Sequence, residues 1–341
     1  MSQREKMDSI QHREFYEIRS LMGNTWAMFF VLLGGREAGK TYGVLDMFLR
    51  DWKKNGTPYW HLRLSEVSTK KMLKNNAEKA IDADLVRKYG LELSVKGPNV
   101  YDHGKKMAEV VSLSSMAKDK GVAMFDKDFL QFHKHYNILI DEFQREPNER
   151  NTFSVIRNLV NQLENIARST KERIRVIFSA NTLEEASDVL VAFNFIPEQF
   201  GIFKIRKKRC VMHNIEPTEA YKARRRGSIA DLLTPKDSNF TNKIDVDKSL
   251  VYKGRLIRPI SIIKFTKEKE GWFTVWNNRI ICRYHGECVP AIPMLPYLDE
   301  VFDIQQRNTI YDQFNARYLY FRDLITQKMF QKELEKIKPK G

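Results

Sequence analysis

Cysteine is scarce. Cys210, Cys282 and Cys288 are the only three in 341 residues, which excludes a disulfide-built scaffold and fits a reducing compartment. Long hydrophobic runs are also missing. The longest apolar stretch, Trp26 to Leu33, falls far short of the roughly 18 residues that cross a bilayer, so no membrane partner is expected. Met1 to Ser20 is charged and polar and lacks the apolar core of a secretory signal, and the chain reads as soluble and intracellular. Acidic residues are in deficit, 43 against 58 Lys and Arg, and the formal charge of +15 favours a polyanionic partner such as nucleic acid. Apolar residues are plentiful at 42%, with 21 Phe, 13 Tyr and 5 Trp, which excludes a wholly disordered chain. No internal repeat is visible.

A polar helical lead-in precedes Phe29-Phe30-Val31-Leu32-Leu33, an apolar run that reads as a buried strand ending in Gly34-Gly35. Thr41 to Lys54 has helical spacing, and Tyr59 to Leu64 reads as a second strand. Ser68 to Tyr89 reads as helical. Leu91 to Val95, Val100 to His103 and Met107 to Leu113 read as an antiparallel meander, because Gly and Asn turn signals separate them. Asn137 to Ile140 is a strand, Phe153 to Ile166 a helix and Arg175 to Ser179 a strand. Strands alternating with helices predict a mostly parallel α/β sheet. Residues 1–207 are expected to form this domain. Residues 208–245 read as a basic linker and 246–341 as a small α+β domain, with strands at Ile260 to Thr266, Trp272 to Asn277 and Arg279 to Tyr284 and one helix from Thr309 to Leu334.

Gly34-Gly35-Arg36-Glu37-Ala38-Gly39-Lys40-Thr41 fits G-x-x-x-x-G-K-[ST] between a strand and a helix, the full phosphate-binding loop. The glycines let backbone N–H groups curl around phosphate oxygens, and the helix N-terminus adds its positive end. Lys40 would reach the β- and γ-phosphates of ATP, and the Thr41 hydroxyl would bind Mg²⁺. Arg36 would touch phosphate or pair with an acid that shapes the loop. Asn137-Ile138-Leu139-Ile140-Asp141-Glu142 is an apolar strand ending in two carboxylates. Asp141 would hold Mg²⁺, and Glu142 would activate water as general base. Ser179 and Asn181 end the next strand, either as sensors of the γ-phosphate or as an ordinary strand exit. Arg168, Lys171, Arg173 and Arg175 form a basic cluster, either a solvated face or the source of an arginine finger supplied in trans.

Together, the loop, Ile138-Leu139-Ile140-Asp141-Glu142-Phe143-Gln144-Arg145-Glu146 and Arg175-Val176-Ile177-Phe178-Ser179-Ala180-Asn181 resemble the DNA-packaging ATPases of phi-29-type phages. The meander and Phe193 to Glu198 are similar too, so the likeness covers roughly residues 25–206. It implies a P-loop NTPase of the additional-strand, catalytic-Glu type, with a C-terminal domain like a degenerate RNase H-like nuclease. It further implies a homo-pentameric ring on a phage portal (connector) protein in the host cell cytoplasm, moving double-stranded DNA into a procapsid, in some cases with an RNA scaffold. The family's trans arginine lies between the Asp-Glu strand and the sensor strand. Here that run holds Arg168, Arg173 and Arg175, and Arg168 is the choice.

Two-metal cleavage needs converging carboxylates. Ile260 to Phe265 carries none, so no nuclease activity is expected despite the cluster Asp299, Glu300 and Asp303. Lys70, Lys71 and Lys74 lie on a helix that either tracks the DNA backbone or is a solvated face. Arg224-Arg225-Arg226 would bind DNA, an RNA scaffold or the portal, or be a flexible basic linker; the lysine-rich C-terminal tail is similarly open. Asn242-Lys243-Ile244-Asp245 mimics a guanine-reading motif but follows no buried strand. Cys210-x-x-His213 and Cys282-x-x-His285-x-x-Cys288 lie far apart with apolar flanks, which favours buried thiols over zinc. The alternative functions are another ring ATPase such as a helicase or replication loader, a nucleotide-locked structural protein, and a terminase with a working nuclease.

Overall fold

The computed structural model describes residues 15–116, 133–143, 155–167, 174–181, 188–228, 232, 249–266, 269–288, 291–293 and 304–336. The chain divides into two compact units, residues 1–193 with 197–245, and residues 194–196 with 246–341. Among the described residues no helix is long and apolar enough to cross a membrane.

The first unit runs β1 (Phe29–Gly34), α1 (Lys40–Asn55), β2 (Tyr59–Arg63), α2 (Glu66–Ala77), α3 (Ala83–Tyr89), β3 (Leu93–Lys96), β4 (Asn99–Asp102), β5 (Lys105–Ser112), β6 (Tyr136–Asp141), α4 (Val155–Ala167), β7 (Ile174–Asn181), β8 (Gly201–Ile205), β9 (Cys210–Asn214) and α5 (Glu219–Arg225). Its strands form one sheet in the order β3-β4-β5-β2-β6-β7-β1-β9-β8. The strands from β5 to β9 in that order are parallel, and β3, β4 and β8 join antiparallel at the edges. β7 lies between β1 and β6.

Strands buried on both faces need continuous apolar sequence. Val31, Leu32 and Leu33 of β1 and Ile138, Leu139 and Ile140 of β6 supply it, all fully buried. Helix α1 lays Val44, Leu45, Phe48 and Leu49 on one face, and these share a core with Leu32, Tyr59, Leu139 and Ile177. Gly56, at φ 65°, ends the helix, a conformation that costs glycine nothing. Parallel strands put all their C-terminal ends on one rim, where ligands of open α/β sheets bind. Gly34, Arg63, Asp141 and Asn181 arrive there together.

Three sequence expectations need correction. Residues 208–245 do not begin as a linker: Cys210–Asn214 is a strand hydrogen-bonded in parallel to β1, and α5 follows it. The basic residues at 204–209 belong to β8 and the tight turn that joins it to β9, so the charge marks a hairpin on the sheet edge. Ser68 to Tyr89 is two helices, because Asn75, Asn76 and Ala77 take φ values of 51°, 54° and 63° and break the first. The third concerns the C-terminal unit.

That unit runs β10 (Pro259–Lys264), β11 (Trp272–Trp276), β12 (Ile280–Arg283), β13 (Ala291–Pro293), α6 (Ile304–Asn315), β14 (Tyr320–Phe321) and α7 (Leu324–Lys336). Its sheet order is β13-β10-β11-β12-β14. Phe330 of α7 sits 5.1 Å from Phe265, 5.2 Å from Phe273 and 5.5 Å from Phe321, ring centre to ring centre, and anchors the core. The single helix expected from Thr309 to Leu334 is interrupted. Arg317 turns to φ 55° and ends α6. Buried Leu319 and Phe321 then cross to the sheet edge. Asp323 restarts the helix, its carboxylate accepting from the Thr326 N–H at 2.7 Å and the Thr326 hydroxyl at 2.9 Å.

Candidate nucleotide site

The loop between β1 and α1 is built from unusual backbone. Glu37 takes φ 61° and Gly39 φ 83°. A Cβ on Gly39 would lie 3.0 Å from Phe15 Cβ, so both conformation and space require glycine there. The Lys40 ammonium donates to the carbonyls of Gly34 at 2.8 Å and Gly35 at 2.7 Å. Burial lowers its pKa to about 8, while Asp141 and Glu142 oppose the shift, so it stays a cation at neutral pH.

The two carboxylates sit opposite. The Thr41 hydroxyl donates to Asp141 Oδ1 at 2.9 Å. Arg63, at the end of β2, donates through Nη1 to Asp141 Oδ2 at 2.7 Å, and its Nη2 lies 2.6 Å from Glu142 Oε2. Buried His61, also on β2, places Nε2 3.6 Å from Asp141 Oδ2. Burial alone would raise the Asp141 pKa, but His61, Arg63 and Thr41 outweigh it and hold the pKa at about 2. Glu142 takes φ 51°, uncommon for a residue with a Cβ, which turns its side chain outward, while Phe143 packs edge-on against Phe178 at 5.7 Å.

Ser179 lies in register with both Asp141 and Leu32, and Asn181 with Gly34. One cavity of about 800 Å³ is lined by Arg36 to Thr41, Asp141, Glu142, Ser179 and Asn181. Paired hydroxyl and ionised carboxylate oxygens at a helix N-terminus are hard donors suited to Mg²⁺, so Thr41 and Asp141 fit that ion.

The arginine candidates divide. Arg168 and Arg173 lie outside the described residues, as do Lys171, Asn242 to Asp245 and the cluster Asp299, Glu300 and Asp303. Arg175 starts β7 at the far end of the sheet, with Nε donating to Asn137 Oδ1 at 3.0 Å and Nη2 3.8 Å from Asp51. Occupied there, it does not suit a trans contact. Lys70, Lys71 and Lys74 are exposed on or beside α2, with Lys70 paired to Glu66 at 2.7 Å.

Arg224 and Arg225 touch the phosphate loop. Arg224 donates to the Glu37 carbonyl at 2.6 Å, and Arg225, nearly buried, pairs with the Glu37 carboxylate at 2.9 Å. Tyr221 Oη donates to the Arg36 carbonyl at 2.9 Å. Helix α5 thus holds the loop in its left-handed turn. Arg226 stays exposed. Arg63, His61, Tyr221 and Phe15 were not singled out from sequence. A basic residue ending a strand was a signal for Arg63, but its partners depend on β2 lying beside β6.

Comparisons with known proteins bear on this geometry. The model of the podovirus DNA encapsidation protein (Gp16) family matches residues 10–311. The chain belongs to that family. No protein with a curated description matches the sequence. Its fold is similar to the phi-28 gp11 DNA packaging motor, with TM-score 0.60, 16% identity and 96% of this chain aligned to 98% of that one. It is also similar to the bacteriophage phi-29 viral genome packaging motor assembly, with TM-score 0.65, 17% identity and 96% of this chain aligned to 100% of that one.

β9 also carries a titration. His213 stands edge-on to Tyr16 at 5.3 Å, with Nδ1 3.1 Å from the hydroxyl. Burial lowers its pKa from 6.5 to about 4. The folded state therefore binds fewer protons than the unfolded state between those values, and stability present above pH 6.5 is lost as pH falls toward 4. The loss is on the order of 3 kcal/mol at 1.36 kcal/mol per unit. Thermal melts from about pH 7 to pH 4.5 should show the melting temperature falling, and His213→Gln should flatten that fall.

Proposed function

We propose that this protein is a Mg²⁺-dependent ATPase that drives double-stranded DNA into a phage procapsid, acting as a homo-pentameric ring on the portal. The observation that carries this reading is the convergence of Thr41, Asp141 and Glu142 around the phosphate loop, in a chain of the DNA encapsidation family. The Lys40 ammonium neutralises the β- and γ-phosphates, and loop N–H groups cradle them. Thr41 and Asp141 hold Mg²⁺, which neutralises phosphate charge when bound. Glu142 takes the proton of the attacking water. Ser179 and Asn181 report the γ-phosphate from β7, and Arg168 of the neighbouring subunit completes the site.

Arg63 ties both carboxylates to the end of β2, and the chain enters lysine-bearing α2 after only Leu64 and Ser65. DNA held by Lys70, Lys71 and Lys74 would thus shift the partner of the general base directly. Replacing all three lysines by Gln should weaken DNA binding uniformly across sequences and flatten its salt dependence by about 0.9 per lost phosphate contact. A salt titration of DNA binding checks this. In the C-terminal unit β10 carries no carboxylate, which supports a degenerate, inactive nuclease-like domain.

The test is packaging with purified procapsids, scaffold RNA and ATP, read as DNase-protected DNA. Protection that requires both this protein and ATP supports the motor. DNA unwinding without procapsids would favour a helicase, and ATP binding without turnover would favour a structural protein locked by nucleotide.

A further inference from the structure

The nucleotide cavity has lining residues that the phosphate chemistry does not use. Besides the loop, Asp141, Glu142 and the end of β7, it is lined by Phe15, Tyr42, Asp82, Asp84 and Arg224. Phe15 is 53% exposed, an unfavourable position for an aromatic that serves only as packing. It is nevertheless firmly placed. The Tyr16 N–H donates to the Ala38 carbonyl at 2.8 Å, and Phe15 rests on Gly39. The Arg224 guanidinium lies over this ring, 4.3 Å from its centre, and 5.7 Å from the centre of Tyr221. Its bond to the Glu37 carbonyl fixes it from the loop side. An aromatic and a guanidinium stacked on each other, both at a wall of one cavity, form a surface that suits a flat π-system.

Stacking on aromatic rings and guanidinium planes is how proteins hold nucleobases without reading their edges. Phosphate alone offers nothing for Phe15 to contact. DNA is a poorer occupant, because Arg224 is tied inside the cavity to the phosphate loop. We propose that Phe15 and Arg224 form the base platform of this site, taking the purine ring of a nucleoside triphosphate whose phosphates lie on the loop at Lys40 and Thr41. The inference rests on the nucleotide reading and names the side chains that would make the site prefer purine over pyrimidine nucleotides. It also gives α5 a role in binding, since Arg224 belongs to the helix that braces Glu37.

The test measures equilibrium binding of ATP, CTP and inorganic tripolyphosphate to wild type, Phe15→Ala, Phe15→Trp, Arg224→Ala and Lys40→Ala, each checked for an unchanged thermal melt. Wild type should bind ATP more tightly than CTP. Phe15→Ala should weaken ATP about 10- to 100-fold and leave tripolyphosphate unchanged, Phe15→Trp should keep ATP binding, and Arg224→Ala, which also removes a brace of the loop, should weaken ATP more than tripolyphosphate. Lys40→Ala should weaken ATP and tripolyphosphate alike. Equal wild-type affinity for ATP and CTP, or parallel loss of ATP and tripolyphosphate in the Phe15 and Arg224 variants, would overturn the platform while leaving the phosphate loop standing. Wild type that binds neither ATP nor tripolyphosphate would overturn the nucleotide reading and the platform with it.

Discussion

Glu142→Gln should cut ATP turnover by about 10²- to 10⁴-fold, the range of a lost general base, while nucleotide binding stays within a few-fold of wild type. The substitution keeps size and shape and removes only the carboxylate proposed to accept the proton. The structure makes the outcome specific to Glu142. Asp141 is buried, donates nothing, and is committed to Thr41 and Arg63, whereas the Glu142 side chain is 58% exposed and turned out by its left-handed backbone. Asp141 therefore has no free geometry to replace it. Arg63 would keep Asp141 and lose one ion pair, to a Glu142 side chain that is more than half exposed, so the fold should be unaffected. Single-turnover hydrolysis and nucleotide titration on the same sample separate the two effects. Loss of binding together with turnover would move Glu142 from chemistry to site assembly.

Lys40→Ala should act one step earlier, on binding. Its ammonium sits at the turn between β1 and α1, on the carbonyls of Gly34 and Gly35, beside both carboxylates. Charge-assisted bonds to phosphate are worth roughly 1.5–3 kcal/mol each, so losing two should weaken ATP about 10²- to 10⁴-fold. Asp141 keeps Arg63 and Thr41, and no carboxylate is left buried alone, so the melt should change little. Calorimetric titration with ATP reads the loss directly.

The parts of this site that were legible in the sequence are those in which chemistry and position share one short segment. The phosphate loop announces itself through glycine spacing, and β1 and β6 through apolar runs that only a doubly covered strand requires. What escaped was carried by pairing across the sheet. Arg63 becomes a partner of Glu142 because β2 lies beside β6, and nothing within Tyr59 to Arg63 encodes that order. β9 is only five residues, contains His213 and Asn214, and follows a basic turn, so its charge concealed a strand bonded to β1. The contacts of Arg224 and Arg225 with Glu37 were hidden because their loop partner lies nearly two hundred residues away in sequence. Asn75 and Asn76 could have signalled the helix break, since Asn tolerates the left-handed region. The break at Arg317 has neither glycine nor proline to mark it, and the demand that Leu319 and Phe321 reach the core decides it.

The most direct test of the account is ATP hydrolysis by the wild-type protein, measured with and without double-stranded DNA across a range of salt. Steady turnover that rises with DNA, with a stimulation that fades as salt increases, is the predicted result. Turnover indifferent to DNA at every salt concentration would contradict a DNA-coupled motor, whatever the geometry around Glu142.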